Sequence, residues 1–248
     1  MKHTLVLVSI LLLLGITAEA QRRQILIYTH NGKGYIHDNI QASVEALTKL
    51  CKENKYTVQA TDDPAVFTDQ SLKQFSCIIF SNTNNEAFDT EEQKKAFMQY
   101  IRSGGAFVGI HSASGSERQW PWFWSVLGGK FVRHPPLQKF TIKVIDKSHP
   151  ATSFLGDTWE WEDECYYLDQ LNPDIHILLA ADLSTVEDEK KQEYPGKVFG
   201  QYFPLSWCHT FDGGRQFYTA LGHKKEYYQD QQFLKHLWGG IQWTLNGK

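Results

Sequence analysis

The chain has 248 residues, with 25 Lys and Arg against 28 Asp and Glu and a formal net charge of -3. Both signs are scattered, without a basic stripe or an arginine-rich tail, and this excludes the usual electrostatic footprint of a nucleic-acid binder. Beyond the N-terminus no apolar run approaches membrane length.

Residues 1–20 read as a signal peptide. Met1-Lys2-His3 is a basic start, Leu5 to Ile16 an apolar run too short to span a bilayer, and Ala18-Glu19-Ala20 a small-residue cleavage site. A periplasmic or secreted location is therefore expected, with no membrane contact after cleavage and with residues 21–248 forming one domain. The cysteines Cys51, Cys77, Cys165 and Cys208 show no C-x-x-C spacing. Cys77 sits in an apolar strand and Cys51 at a helix end, so free thiols are favoured over disulfides.

Gln24 to Tyr28 reads as a first strand, and residues 37–53 as a helix with Ile40, Val44, Leu47, Leu50 and Cys51 on one face. Tyr56 to Ala60 alternates as a second strand, and Cys77 to Phe80 is a buried third. Glu91 to Ile101 is a helix opened by a capping box between Thr90 and Gln93. Ala106 to Ile110 is the next strand. No hairpin signal joins these strands, which predicts a mainly parallel sheet with helices on both faces and ligands at the strands' carboxyl ends.

The 107–113 segment Phe-Val-Gly-Ile-His-Ser-Ala is the most informative. An apolar strand runs into a small-residue turn, as at the elbow that displays a nucleophile in many α/β enzymes, but the apex is His111. Histidine there points to acid–base chemistry, metal ligation or polar substrate contact, against the plainer alternative of an imidazole satisfied by backbone. Trp120, Trp122, Phe123 and Trp124 follow, either as packing or as a platform that stacks on sugar rings.

Residues 131–205 are less periodic. Phe140 to Ile145 and His176 to Ala180 read as strands, the acidic segment Trp159 to Glu164 as a patch between them, and 184–197 as an exposed loop. Ser206 to Phe211, the turn residues Asp212-Gly213-Gly214, and Arg215 to Leu221 predict an antiparallel hairpin. Trp207, His209, Gln216 and Tyr218 share one of its faces, and Arg215 lies on the other or at the turn. A helix over 230–245 carries Phe233, Leu237, Trp238, Ile241 and Trp243.

Ten histidines, one of them in the leader, outnumber what packing requires. His37 and Asp38 open the first helix, where Asp38 either is a first-turn charge or fixes the His37 tautomer. His134 precedes a proline, as does His149, the weaker candidate. His209 and His223 bracket the hairpin. Glu164 abuts the run Cys165-Tyr166-Tyr167, where partial burial suits a proton carrier. No H-x-H or H-E-x-x-H spacing occurs. The cofactor is thus unassigned, and a divalent metal held by His111, His209 and His223 stays open.

Taken together, several stretches identify a family resemblance across nearly all of the mature chain. They are His37-Asp-Asn-Ile40, Thr61-Asp-Asp-Pro64, Gly104 to His111, Phe131 to Pro135, Lys147 to Pro150, Asp163-Glu164, Pro204 to His209, Asp212 to Arg215 and Tyr218 to His223. The chain resembles the ThuA-like (trehalose utilisation) proteins. That resemblance implies a flavodoxin-like, three-layer α/β sandwich akin to class I glutamine amidotransferases. His111 replaces the cysteine of their elbow, so glutaminase chemistry is not implied.

The resemblance also implies a small carbohydrate substrate (a disaccharide, a glycoside or a keto-sugar) and a role in sugar breakdown. On it, His111, His209 and Glu164 are the expected catalytic residues. His37, His134, Arg215 and His223 are the expected substrate contacts, to which the reading of the residues themselves adds Asp38, Tyr218 and Trp122. Cys165-Tyr166 stands where such proteins commonly have Trp-Tyr after the acidic pair. The alternatives are a non-catalytic sugar-binding or accessory protein, or an amidotransferase or peptidase, which the missing elbow nucleophile disfavours. A homo-oligomer stays open.

Overall fold

The computed structural model describes residues 24–194 and 200–246. The leader read from residues 1–20 lies outside them. Among the described residues there are eleven strands: β1 (Gln24–Tyr28), β2 (Thr57–Thr61), β3 (Phe75–Ser81), β4 (Ala106–Ile110), β5 (Lys130–Arg133), β6 (Gln138–Val144), β7 (Thr158–Asp163), β8 (Tyr167–Asp169), β9 (His176–Asp182), β10 (Tyr202–Phe211) and β11 (Gly214–Thr219). The helices are α1 (Ile40–Glu53), α2 (Asp69–Leu72), α3 (Glu91–Arg102), α4 (Pro121–Leu127) and α5 (Gln231–Leu245). Among the described residues no helix is long and apolar enough to cross a membrane.

Nine strands form one sheet in the order β2-β1-β3-β4-β11-β10-β9-β6-β7, and β5 pairs with β8 separately. From β2 to β11 every pairing is parallel. From β11 to β7 every pairing is antiparallel. The expectation of a mainly parallel sheet therefore holds for the first half only. The hairpin continues into three further antiparallel strands.

Alternation along the strands sorts the core. Phe80 and Phe107 turn to one face and pack with Phe97 of α3 and Phe123 of α4. Phe217 turns to the other, against His236 of α5, and Ser81 bonds Ser43 of α1. The predicted capping box at Thr90 and Gln93 is present. Asp230 caps α5 by accepting from the Gln232 and Phe233 amides. The four cysteines are buried and not joined in disulfides.

Two segments depart from the sequence reading. The acidic patch is the strand β7, in which Trp159, Trp161 and Asp163 are buried while Thr158 and Glu160 are exposed. This period of two was masked by the run of carboxylates on the solvent side. β10 begins at Tyr202 and includes Pro204, tolerated because the register with β9 shifts just beyond it.

His236 is fully buried. Its Nδ1 donates to the Ala151 carbonyl, and its Nε2 accepts from Thr219 Oγ1. Burial pushes its pKa from 6.5 to about 4. The unfolded chain therefore binds the proton first, so this contribution to stability is whole above pH 6.5 and is lost as the pH falls toward 4. The shift corresponds to about 3 kcal/mol. Urea unfolding at pH 7 and pH 4.5 should show a smaller loss of stability for His236→Gln than for the native chain. Equal losses would refute the assignment.

Candidate active site

β4 delivers His111 into a 3-10 turn, His111–Gly115, at the carboxyl edge of the sheet. His111 has φ +52°, an uncommon conformation for a residue with a Cβ, and the neighbouring chain is packed tightly enough to hold it. Gly109 lies beneath it, where a Cβ would press on Leu127 Cδ1 at 2.5 Å and Tyr218 Cδ2 at 3.1 Å. The Tyr218 hydroxyl donates to the His111 carbonyl at 2.9 Å and sits 2.8 Å from Ser114 Oγ. The sequence thus located a genuine elbow, with an imidazole in the nucleophile's place.

His111 is fully buried, and its Nδ1 lies 2.7 Å from the Ala220 carbonyl oxygen. A carbonyl only accepts, so Nδ1 carries the proton and Nε2 offers a lone pair. Around that lone pair stand Tyr166 Oη at 2.9 Å, His37 Nε2 at 3.1 Å, His223 Nδ1 at 3.4 Å and Glu164 Oε2 at 3.6 Å. His223 Nδ1 is 3.2 Å from Glu164 Oε2, and His134 Nε2 is 3.6 Å from Glu164 Oε1. His134 lies at the exposed rim, and its Nδ1 donates to the Pro135 carbonyl. Ser112 Oγ, 3.2 Å from His37 Nδ1, fixes the ring of His37.

The electrostatics separate these groups. Burial drives His111 well below 6.5, assisted by the neighbouring His37. Burial likewise lowers His37 to about 4, with His223 adding to it. His223 moves the other way, raised by its hydrogen bond to Glu164. Burial pushes the Glu164 carboxyl up, but the bond from His223 and the surrounding imidazoles outweigh it, so the net shift is downward. Near neutral pH the buried floor is two neutral imidazoles, and the mouth is an imidazole–carboxylate pair.

One further carboxylate holds this arrangement. Asp163 is fully buried at the end of β7 and accepts from Trp161 Nε1 and the Gly222 amide on Oδ2, and from the Glu164 and His223 amides on Oδ1. It fixes the backbone at Glu164 and His223 together. Asn39, which precedes α1, adds a second tether: its Nδ2 reaches Asn82 Oδ1 and the Gly222 and His223 carbonyls. Gly222 sits at φ +124°, and a Cβ there would lie 2.9 Å from Tyr228 Oη.

Of the expected site residues, His37, His111, His134, Glu164 and His223 converge. Asp38 is exposed beside them and acts on His37 and His223 through its charge, while Ser112, not Asp38, orients the His37 ring. Tyr218 supports the elbow from below and is buried, so the expected substrate contact is corrected to a positioning role.

His209, Arg215 and Trp122 do not join the cluster. His209 pairs with Gln216, which is level with Phe107, four residues and about 13 Å down β4 from His111. Its Nε2 donates to the Ser125 carbonyl. It is thus removed from both the expected catalytic set and the expected metal set. Arg215 is level with Ala106, donates to the Trp243 carbonyl and stacks on the Trp243 ring. Trp122 donates to Asp212 in the hairpin turn, at the opposite edge of the sheet, and packs on Phe97 and Trp120. The aromatic platform is packing. Tyr166, Ser112, Asp163 and Asn39 are the members that sequence reasoning passed over. Asp163 and Tyr166 had a signal as neighbours of Glu164, and Asn39 one as a member of the His37–Ile40 stretch.

Fold and site together define an α/β protein with an imidazole- and carboxylate-lined centre at the sheet's carboxyl edge. The chain belongs to the ThuA family, described as trehalose utilisation, whose model matches residues 24–244. A ThuA-like protein of Bacteroides uniformis is 25% identical, with a TM-score of 0.73 over 93% of this chain and 94% of that one. A ThuA-like protein of Parabacteroides merdae is 20% identical, with a TM-score of 0.69 over 91% and 90% of the two chains. A cytoplasmic protein of Salmonella typhimurium, 10% identical, shares the fold at a TM-score of 0.62 over 89% and 98%. No curated protein matches the sequence. The family gives the protein a carbohydrate-related role.

Asp163→Asn keeps the shape but sets an NH2 group against backbone donors. It should cost about 3 kcal/mol of stability, read from the urea midpoint. A midpoint within experimental error of the native chain would show that Asp163 does not hold the site loops.

Proposed function

We propose that the protein is an exported enzyme of carbohydrate utilisation, acting on a disaccharide, a glycoside or a keto-sugar on a flavodoxin-like frame. The observation that carries this reading is the convergence of His37, His111, His223 and Glu164 within a few ångströms, at the sheet edge where ligands of such folds bind. Packing alone does not require buried imidazoles and a carboxylate at one point, and such clusters mark functional sites.

Export rests on the signal-like residues 1–20. The substrate class rests on the family. Proton abstraction next to a sugar carbonyl suits the groups present. Glu164 accepts the proton, held by His223 and within reach of His134 at the rim. The Tyr166 hydroxyl, which rests on His111 Nε2, would donate to the oxygen on which charge develops once that lone pair is otherwise engaged. Hydrolysis through a thiol is disfavoured, since burial pushes Cys208 to about 12 and it lies along the hairpin.

The test is turnover of a panel of disaccharides, simple glycosides and their keto derivatives by the native chain, Glu164→Gln and His111→Ala. Turnover of at least one sugar is expected, with kcat/KM lower by about 100-fold or more in Glu164→Gln. Sugar binding without turnover, with affinity unchanged in His111→Ala, would make the protein a non-catalytic binding or accessory protein instead.

A further inference from the structure

We infer that the cluster is a binding site for one first-row transition dication, ligated by His37 Nε2, His111 Nε2, His223 Nδ1 and Glu164 Oε2. The inference deepens the reading of this site as a sugar-processing centre and rests on that reading only for the use made of the ion.

Three observations carry it. The first is spacing. Two donors on one ion at bond lengths of about 2.1 Å stand about 3.4 Å apart in a tetrahedron and about 3.0 Å apart at adjacent octahedral positions. The separations here are 3.1 Å for His37 to His111, 3.4 Å for His111 to His223, 3.2 Å for His223 to Glu164 and 3.6 Å for His111 to Glu164. All the donor atoms lie within 4.8 Å of one another, so small side-chain swings close them on one ion.

The second is the fixed state of the rings. The bond from His111 Nδ1 to the Ala220 carbonyl leaves Nε2 as an inward lone pair, the arrangement in which a backbone carbonyl orients a metal-binding imidazole. Ser112 Oγ holds the His37 ring through Nδ1 with its Nε2 turned inward, and because a hydroxyl can donate or accept, it lets His37 present an Nε2 lone pair to an ion.

The third is polar crowding. His111 Nε2 is part of a fully buried side chain, yet four polar atoms approach it within 3.6 Å. One lone pair accepts one strong hydrogen bond, whereas a cation at the centre engages all of its ligands at once. Three imidazoles and one carboxylate select zinc, cobalt, nickel, iron or manganese over magnesium and calcium, which prefer all-oxygen sites. Ligation takes the place of the hydrogen bond from His223 Nδ1 to Glu164 Oε2, since a ligating nitrogen carries no proton, and Glu164 Oε1 still faces His134, which leaves that pair as a proton path at the rim. An ion here would polarise a sugar carbonyl or hydroxyl.

The experiment uses the full chain, purified without chelator. Bound metals are counted by plasma mass spectrometry, and the stripped protein is then titrated with Co2+ by visible absorption and with Zn2+ by thermal melting. About one equivalent per chain is expected, together with a low-symmetry Co2+ spectrum and a rise in Tm on adding Zn2+. His37→Ala and the near-isosteric Glu164→Gln should each weaken Co2+ binding more than about tenfold while their far-ultraviolet circular dichroism stays native. His176→Ala, whose exposed imidazole pairs with Asp146 away from the cluster, should bind as the native chain does.

Absence of the Co2+ spectrum in the native chain, or equal Co2+ affinity in Glu164→Gln, would overturn the inference. Full sugar turnover by rigorously stripped protein would overturn the use of the ion in the reaction and leave the proposed enzyme standing. Stoichiometric metal bound by the cluster with no sugar turned over would uphold the inference and remove the proposed enzyme.

Discussion

The 2.7 Å hydrogen bond from His111 Nδ1 to the carbonyl of Ala220 is the contact on which the rest of the site depends. It decides which nitrogen of a fully buried imidazole keeps its proton, and so turns Nε2 into an inward acceptor. Everything polar in the centre is arranged around that lone pair. The bond exists because β4 and β11 are neighbouring parallel strands with Thr219 level with Ile110. His111 and Ala220, each one residue further on, therefore leave the sheet side by side. A sheet with its antiparallel hairpin inserted elsewhere would not supply that carbonyl.

The second constraint is the Asp163 carboxylate. The centre is built from distant parts of the chain: the loop before α1, the elbow after β4 and the turn after β11 on one side, and the end of β7 at the far edge of the sheet on the other. Asp163 joins them by accepting two backbone N–H groups from residues 222–223 and one from Glu164. Burying a carboxylate is costly, and its pKa is pushed up to about 6 by that burial. Four N–H donors offset much of the cost, and the return is a fixed distance between His223 and Glu164.

Much of this was legible in the sequence where the signal is local. The strand-to-turn pattern at 106–113, the capping box at Thr90 and the hairpin at 206–219 each depend on a few adjacent residues, and each appears where the pattern placed it. His37, His111, His134, Glu164 and His223 were nominated from loop ends and a family resemblance, and they meet. His209, Arg215 and Trp122 were not separable from them, because hairpin alternation fixes the face on which a side chain lies but not its height along the strand. His209 shares the face of Tyr218 yet sits two residues further from the carboxyl edge. Ser112 carried no signal of its own, and Asn39 only its place inside the His37–Ile40 stretch. Their roles arise from contacts with His37 and with residues 222–223 that only the folded topology creates. The extension β6–β9 was read incompletely because its alternating apolar positions are interleaved with charge.

The central question is whether this cluster handles a proton on a sugar. The most direct measurement is proton NMR of a keto-disaccharide incubated with the protein in D2O, following the hydrogen on the carbon beside the carbonyl. Exchange of that hydrogen for deuterium, faster than in buffer and lost when Glu164 is replaced by glutamine, is the predicted result. Exchange no faster than the buffer rate, with the sugar demonstrably bound, would contradict it.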